Sequence, residues 1–345
     1  MAKLYIGDSQ GAPAIIKVKE VPKLKFGASG DTLIGDVDEN GVLQARTPQT
    51  ALNFSGITEI GTKTLQYAFY QNPAVKSVDF GSVQNIAQGA MSYCFYGCTN
   101  ITSVGLSSLQ SVDSLGLEKA FYDCKSITGT LNLSSLQTVD YNGMQSTFYG
   151  CSGITNVDLN SLQTVGNSGL YSTFYYCTGI TSVDLSSLQT VASNGLQTTF
   201  NGCTGITGVL DLSSLQRIEG YGLQNTFTNC SGITSVDLSS LQYVGIDGLR
   251  QTFMNCKNIT SVDLSSLQSG ASNSLQQTFA NCTGLTTISF PSLTSGRTDR
   301  FNNTFMGCTN LKEIHFRADM QAEVEKMSGY SSKWGATNAT IYFDL

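Results

Sequence analysis

Residues 169–191 read Gly-Leu-Tyr-Ser-Thr-Phe-Tyr-Tyr-Cys-Thr-Gly-Ile-Thr-Ser-Val-Asp-Leu-Ser-Ser-Leu-Gln-Thr-Val, and residues 222–244 repeat the string with only a few changes. Working outward, a Phe three residues before a Cys recurs from Phe95/Cys98 to Phe305/Cys308, and Phe69 with Asn72 in the Cys place opens the series. That makes ten copies between about residue 50 and residue 316, spaced by 26 residues and twice by 27. Self-similarity at such a period marks a solenoid, because one short unit cannot bury its apolar face alone and stacked neighbours can.

Two periodicities alternate inside each copy. Leu196, Phe200 and Cys203 stand at i, i+4 and i+7, which predicts a two-turn helix with Ser193 and Asn194 as capping residues. Ile180, Val183 and Leu185 then alternate with Ser182, Asp184 and Ser186, which predicts a short strand with its apolar side inward. A turn through Ser187, Leu188 and Gln189 returns the chain to the next helix. The 27-residue steps carry one extra residue at Gly129 and Gly208, as expected of a bulge in a strand. No Pro occurs between Pro73 and Pro291, in keeping with a parallel ladder that needs every N–H. The expected fold is therefore an α/β repeat solenoid with a parallel β-sheet on one side, short helices on the other, and about ten repeats.

The strand pattern Ile-x-x-Val-x-Leu, the Leu after it and the recurrent Thr-Phe-x-x-Cys-x-x-Ile resemble the BspA-like branch of the leucine-rich repeats. The resemblance implies a curved solenoid with its sheet on the concave side, found in bacterial surface proteins that bind host proteins or glycans. The chain departs from secreted members of that family in showing no signal peptide and no wall-anchoring tail.

Of the 44 charged residues, residues 47–311 hold 23, while residues 1–46 hold 12 and residues 312–345 hold 9. The ends are different material. Residues 1–46 are expected to form a β-rich attachment or capping module, residues 47–316 the solenoid, and residues 317–345 a carboxy-terminal cap of helix plus strand with Trp334 over the last core layer. Phe26 to Gln44 resembles leader segments of phage or prophage head-fibre and tail-fibre-like proteins. That resemblance implies capsid or tail proteins as partners of residues 1–46, and a virion or extracellular location.

Composition narrows the function. Net charge is −6, leaving no basic surface for phosphate neutralisation, so nucleic acid is not an expected partner. No run of apolar residues is long enough to span a bilayer, and membrane insertion is not expected. His315 is the single histidine, so no multi-His metal site or second triad partner is available. Nine of ten cysteines share one inward repeat position and read as reduced core thiols rather than zinc ligands or disulfides. No catalytic residue, metal site or cofactor is assigned, and the chain is read as non-enzymatic.

Two surface columns carry what functional signal there is. Asp158, Asp184, Asp211, Asp237 and Asp263 fall in one outward strand column, beside Ser182, Ser186, Ser235 and Ser239. Neighbouring carboxylates about 4.8 Å apart in water repel by roughly 0.9 kcal/mol. The column reads either as a soluble, serine-paired sheet surface or as a binding face for protein or glycan. Tyr70, Tyr96, Tyr122, Tyr149 and Tyr175 follow the core Phe in five successive copies and then give way to other residues. They read as packing over neighbouring coils, a subunit interface or a sugar-stacking stripe. The expected function is surface recognition of a cell-surface protein or glycan by a phage or prophage fibre component, with homo-oligomers such as a trimer in view. The alternatives are a bacterial cell-surface adhesin and an intracellular interaction scaffold.

Overall fold

The structure is a computed structural model that describes residues 51–54, 57–294 and 298–345, together with the backbone of five short strands within the first 50 residues. By internal contacts the chain divides into two units, residues 1–162 with 169–180, and residues 163–168 with 181–345. Each unit is a stack of coils, one repeat per coil, and every paired strand in the coils is parallel to its neighbour. The parallel solenoid with 26-residue spacing is as the sequence predicts.

From Ala51 to Gly270 each coil carries two short strands where one was expected. In the first unit, Ile57–Ile60, Asn85–Ile86, Ser111–Val112 and Thr138–Val139 line up as one sheet, and Ala51–Asn53, Ser77–Asp79 and Ser103–Gly105 as another. In the second, Thr164–Val165, Thr190–Val191, Arg217–Ile218, Tyr243–Val244 and Ser269–Gly270 form one sheet. Thr207–Asp211, Gly232–Asp237 and Ser261–Asp263 form another. The Thr-Val dipeptide is too short to show a period of two, so no strand was expected after the Ser187–Gln189 turn. The inserted glycines behave as expected: the register shifts between Gly129 and Thr130 and between Gly208 and Val209, and both glycines hold φ at 81°. A new sheet begins at each of these two strands.

The expected short helices are not found in the described repeats. The segment holding Leu196, Phe200 and Cys203 is a run of turns in which every fourth residue, Asn194, Thr198 and Gly202, takes a left-handed φ of 57°, 56° and 77°. Asn194 is therefore no helix cap. The N–H groups of Leu196, Thr198, Phe200 and Gly202 donate to carbonyls of the next coil at 2.8–3.0 Å, and those between them close turns within their own coil. Spacing explains the outcome. Strand pairing sets the coils about 4.8 Å apart, and the bonds between turn runs keep this side as closely spaced, whereas α-helices, about 10 Å across, would need coils that splay apart here. An i, i+4 apolar pattern suits a turn run of period four as well as it suits a helix.

The core follows the same spacing. Phe69, Phe95, Phe121, Phe148 and Phe174 stack in the first unit with ring centroids 5.2–5.6 Å apart. Phe200, Phe227, Phe253, Phe279 and Phe305 stack in the second at 5.4–6.1 Å. All ten rings are essentially buried, each contributing about 1.5–3 kcal/mol of apolar burial.

At the carboxy end, Glu313–Phe316 pairs on one side with Thr287–Phe290 and on the other with Thr340–Phe343. A short helix, Gln321–Val324, lies between those last two strands in sequence. Trp334 is fully buried against Phe301 and Phe316. At the amino end, Tyr5–Ile6, Lys23–Phe26, Thr32–Val37 and Leu43–Ala45 form a sheet, and Ala14–Ile15 pairs with the first coil strand. Residues 27–31 and 38–42, within the segment that resembles a fibre leader, lie outside the described residues.

Candidate functional site

The aspartate column is built by the strand ends. Asp184, Asp211, Asp237 and Asp263 each accept through Oδ1 the N–H two residues on, from Ser186, Ser213, Ser239 and Ser265, at 2.8–3.0 Å. Asp158 does the same toward Asn160 at 3.2 Å, and Asn132 toward Ser134 at 3.0 Å. Each is an Asx turn, which ends a strand by offering the backbone a side-chain acceptor. Such a turn makes Asp or Asn recur here whatever else the column does.

Serine hydroxyls share this work unevenly. Ser186 Oγ donates to Asp184 at 2.7 Å, while Ser239 reaches Asp237 through its N–H. Ser182 is exposed, and Ser186, Ser235 and Ser239 are half-buried. Asp211, Asp237 and Asp263 are direct register partners on adjoining strands, so three carboxylates stand side by side at strand spacing. Val209, on the bulged strand that carries Asp211, is 69% exposed. That residue escaped the sequence reading because its column is elsewhere polar, as at Thr130, Asn156, Ser235 and Ser261; the inserted glycine before it is the signal that marks it.

The tyrosine column lies entirely in the first unit and forms one continuous stack. Centroids from Tyr70 through Tyr96, Tyr122 and Tyr149 to Tyr175 are 5.1, 4.8, 4.5 and 5.0 Å apart, with interplanar angles of 7–19°. A second column adjoins it. Tyr67 stacks on Tyr93 at 5.0 Å, and Lys119 Nζ donates to the Tyr93 hydroxyl at 2.8 Å. Tyr176 meets Tyr175 edge to face at 4.6 Å. Tyr67, Tyr70 and Tyr176 are 50%, 43% and 51% exposed. Partial burial pushes the Tyr122 phenol up to about 12, helped by its neighbour Tyr149. Rings stacked this closely use their faces on one another and present edges and hydroxyls outward. The second column was readable, since Tyr67 and Tyr93 are also one repeat apart.

The thiols belong to the core. All ten cysteines are free and buried. Eight of them donate S–H to the carbonyl of the Phe in the preceding coil at 2.9–3.3 Å. Burial pushes the Cys177 and Cys230 thiols up to about 12. Among the described residues no group of His, Cys, Asp and Glu is placed to hold a metal ion. His315 lies on a strand paired on both sides, stacked on Tyr342, with Nδ1 2.8 Å from Asp344.

One internal charged group went unread. Arg300 is fully buried, donates from Nη2 to the Gly270 carbonyl at 3.4 Å, and is lowered to about 10 by burial. Burial likewise raises Asp247, with Arg250 opposing and Asp299 adding to the shift. Gly270 stands where other coils place Val191, Ile218 or Val244, and Arg300 occupies space near it.

Comparison with known proteins agrees with the repeat. Among solved structures the chain is similar to a leucine-rich repeat protein from Bacteroides ovatus, 15% identical with a TM-score of 0.38, covering 93% of this chain and 97% of that one. It is also similar to a leucine rich cell surface protein from Faecalibacterium prausnitzii, 19% identical with a TM-score of 0.35, covering 83% and 76%. A leucine rich repeat protein of T. pallidum is 22% identical with a TM-score of 0.39, covering 68% and 91%. No curated relative matches the chain. The model of the BspA type leucine rich repeat region matches residues 62–207, 171–304 and 223–331, most of the sequence, and the chain belongs to that family.

Proposed function

We propose that the chain is a non-enzymatic recognition protein of a bacterial surface. It binds a protein or glycan through the strand face of the second unit that carries Asp184, Asp211, Asp237 and Asp263. The observation that carries this reading is the register of Asp211, Asp237 and Asp263 on adjoining strands, beside the exposed Val209. The Asx turn needs only an oxygen acceptor, which Asn supplies as well, yet four successive coils carry the charged residue before Ser289 and His315 take the position. A row of carboxylates around one apolar contact suits a partner rich in hydrogen-bond donors, such as a basic peptide segment or a polyhydroxylated sugar chain. The virion carrier expected from residues 26–44 gains nothing from the family match, which begins at residue 62.

The test is the triple variant Asp184→Asn, Asp211→Asn and Asp237→Asn. Asn preserves the Asx turns, so the coils stay folded and only charge is removed. Arrays of glycans and of surface-exposed proteins identify what the wild type binds. The variant is expected to bind those hits at least about tenfold more weakly. Undiminished binding with a native circular dichroism spectrum removes this face as the site.

A further inference from the structure

The tyrosine stack of the first unit is a second surface, independent of the strand face. We infer that it is a homodimer interface, in which two copies of the chain lay their Tyr70–Tyr175 stripes side by side, parallel, about a two-fold axis running along the stripe.

Three observations select this occupant. The ring faces are spent within the stack, with interplanar angles of 7–19°, so a sugar ring finds no open aromatic face except at the two ends. What the stripe offers is a comb of phenol edges, one per coil, at centroid spacings of 4.5–5.1 Å over five coils. A surface that meets such a comb edge for edge along its length must share its spacing, and a second copy of this chain does so by construction. Stacked aromatic columns mating in this way are the packing of a steric zipper, and a self-complementary patch is what an isologous dimer requires.

Charge then fixes the orientation. Within one coil, Lys119 precedes Tyr122 and Asp123 follows it, so the two charges lie on opposite flanks of the stripe. Lys119 sits with the Tyr67–Tyr93 column, its Nζ on the Tyr93 hydroxyl, and Asp123 faces Lys125 on the far side at 3.6 Å. A two-fold axis along the stripe brings Lys119 of one copy over Asp123 of the other, twice. It also sets Tyr93 opposite Gly97, a bulky residue against a small one. A two-fold axis across the stripe at Tyr122, the middle ring, would instead set Lys119 on Lys119 and Asp123 on Asp123. Opposed like charges disfavour that arrangement.

Sedimentation equilibrium of the full chain tests the proposal. The wild type is expected to show a reversible monomer–dimer equilibrium. Lys119→Asp should weaken it about tenfold or more, and the exchange Lys119→Asp with Asp123→Lys should restore it. Restoration distinguishes the interface from a local fold effect, because the exchange does not rebuild the bond to Tyr93. Orientation is read with Tyr70→Cys and Tyr175→Cys and a short bismaleimide, the native thiols being buried. Each variant alone should cross-link to a covalent dimer. A monomer at all concentrations, a trimer, a dimer indifferent to Lys119→Asp, or cross-linking only in a mixture of the two variants overturns the proposal.

Discussion

Within the repeat motif, the Thr and Cys that flank the core Phe bind each coil to the one before it. Thr226, Thr252, Thr278 and Thr304 are fully buried, and their hydroxyls donate to Leu carbonyls of the preceding coil at 2.7–2.8 Å. The cysteines do the same toward the Phe carbonyls. A thiol suits the position because it packs as a small apolar group and still donates weakly. The raised thiol pKa makes stability depend on alkali. A free thiol in the unfolded chain ionises near about 8.5, while Cys177 and Cys230 hold their protons to about 12 in the fold. The unfolded state therefore binds fewer protons over that window, and stability falls as pH rises. The contribution is intact below about pH 8 and drops by up to about 1.4 kcal/mol per pH unit for each such thiol above pH 9. Urea midpoints measured across this range should decline steadily, with a shallower decline in the double variant Cys177→Ala and Cys230→Ala. A wild-type midpoint that stays level to about pH 10.5 contradicts the coupling.

At the scale of the coil element, the turn run is kept close to the neighbouring strand by paired choices four residues apart. A Cβ on Gly195, Gly222 or Gly248 would come within 2.6–2.7 Å of a methyl of Val191, Ile218 or Val244. In these coils glycine leaves room for the branched residue four earlier, whereas Ile60 and Ile86 are followed at that distance by Thr64 and Ala90. The pair is inverted at Gly270 and Ser274, where a Cβ on Gly270 would lie 2.4 Å from Ser274 Oγ and 3.4 Å from Arg300 Nε. Arg300 enters the core because Gly270 leaves room for it. Gly270→Val alone should therefore cost about 2–3 kcal/mol through overpacking. Adding Ser274→Gly should recover at least about 1 kcal/mol, a coupling that a double-mutant cycle by chemical denaturation resolves. Strict additivity would show that the two positions do not share this space.

For the whole molecule, a stack of coils needs something that takes the place of the coil that would follow the last one. Phe279 donates its N–H to Thr304 of the next coil, and Phe305 donates to the carbonyl of Trp334 at 3.0 Å. Lys333 and Trp334 adopt left-handed φ of 50° and 51° in succession, where the coils place one such residue in every four. The terminal segment thus supplies the acceptor that a further coil would offer Phe305, while Trp334 seals the core, its indole N–H on the Ser328 carbonyl at 2.9 Å. Trp334→Ala should cost about 3–5 kcal/mol. Because each coil leans on its neighbours, the loss should be local. Amide exchange is expected to quicken in residues 298–345 while coils around Phe227 and Phe253 keep their protection. Uniform loss of protection throughout would mean that the array unfolds as one unit.

The sequence alone determined the repeat, its period, the inward set of Phe, Leu, Ile and Cys, the bulges at Gly129 and Gly208, and the family. All of these follow from which side chains recur and at what spacing. It misjudged the Leu196–Cys203 segment, because an i, i+4 pattern does not say whether hydrogen bonds run within the segment or to the next coil. That was decided by the close approach of neighbouring turn runs, whose Phe rings stack and whose N–H groups bond from coil to coil. The functional columns divide in the same way. Asp184 and Tyr122 could be picked out by repetition, yet only the tertiary structure shows that the carboxylate closes an Asx turn and that the phenol has spent its faces on Tyr96 and Tyr149. Repetition reports what a column contains; contact between coils decides which surface of each side chain is left for a partner.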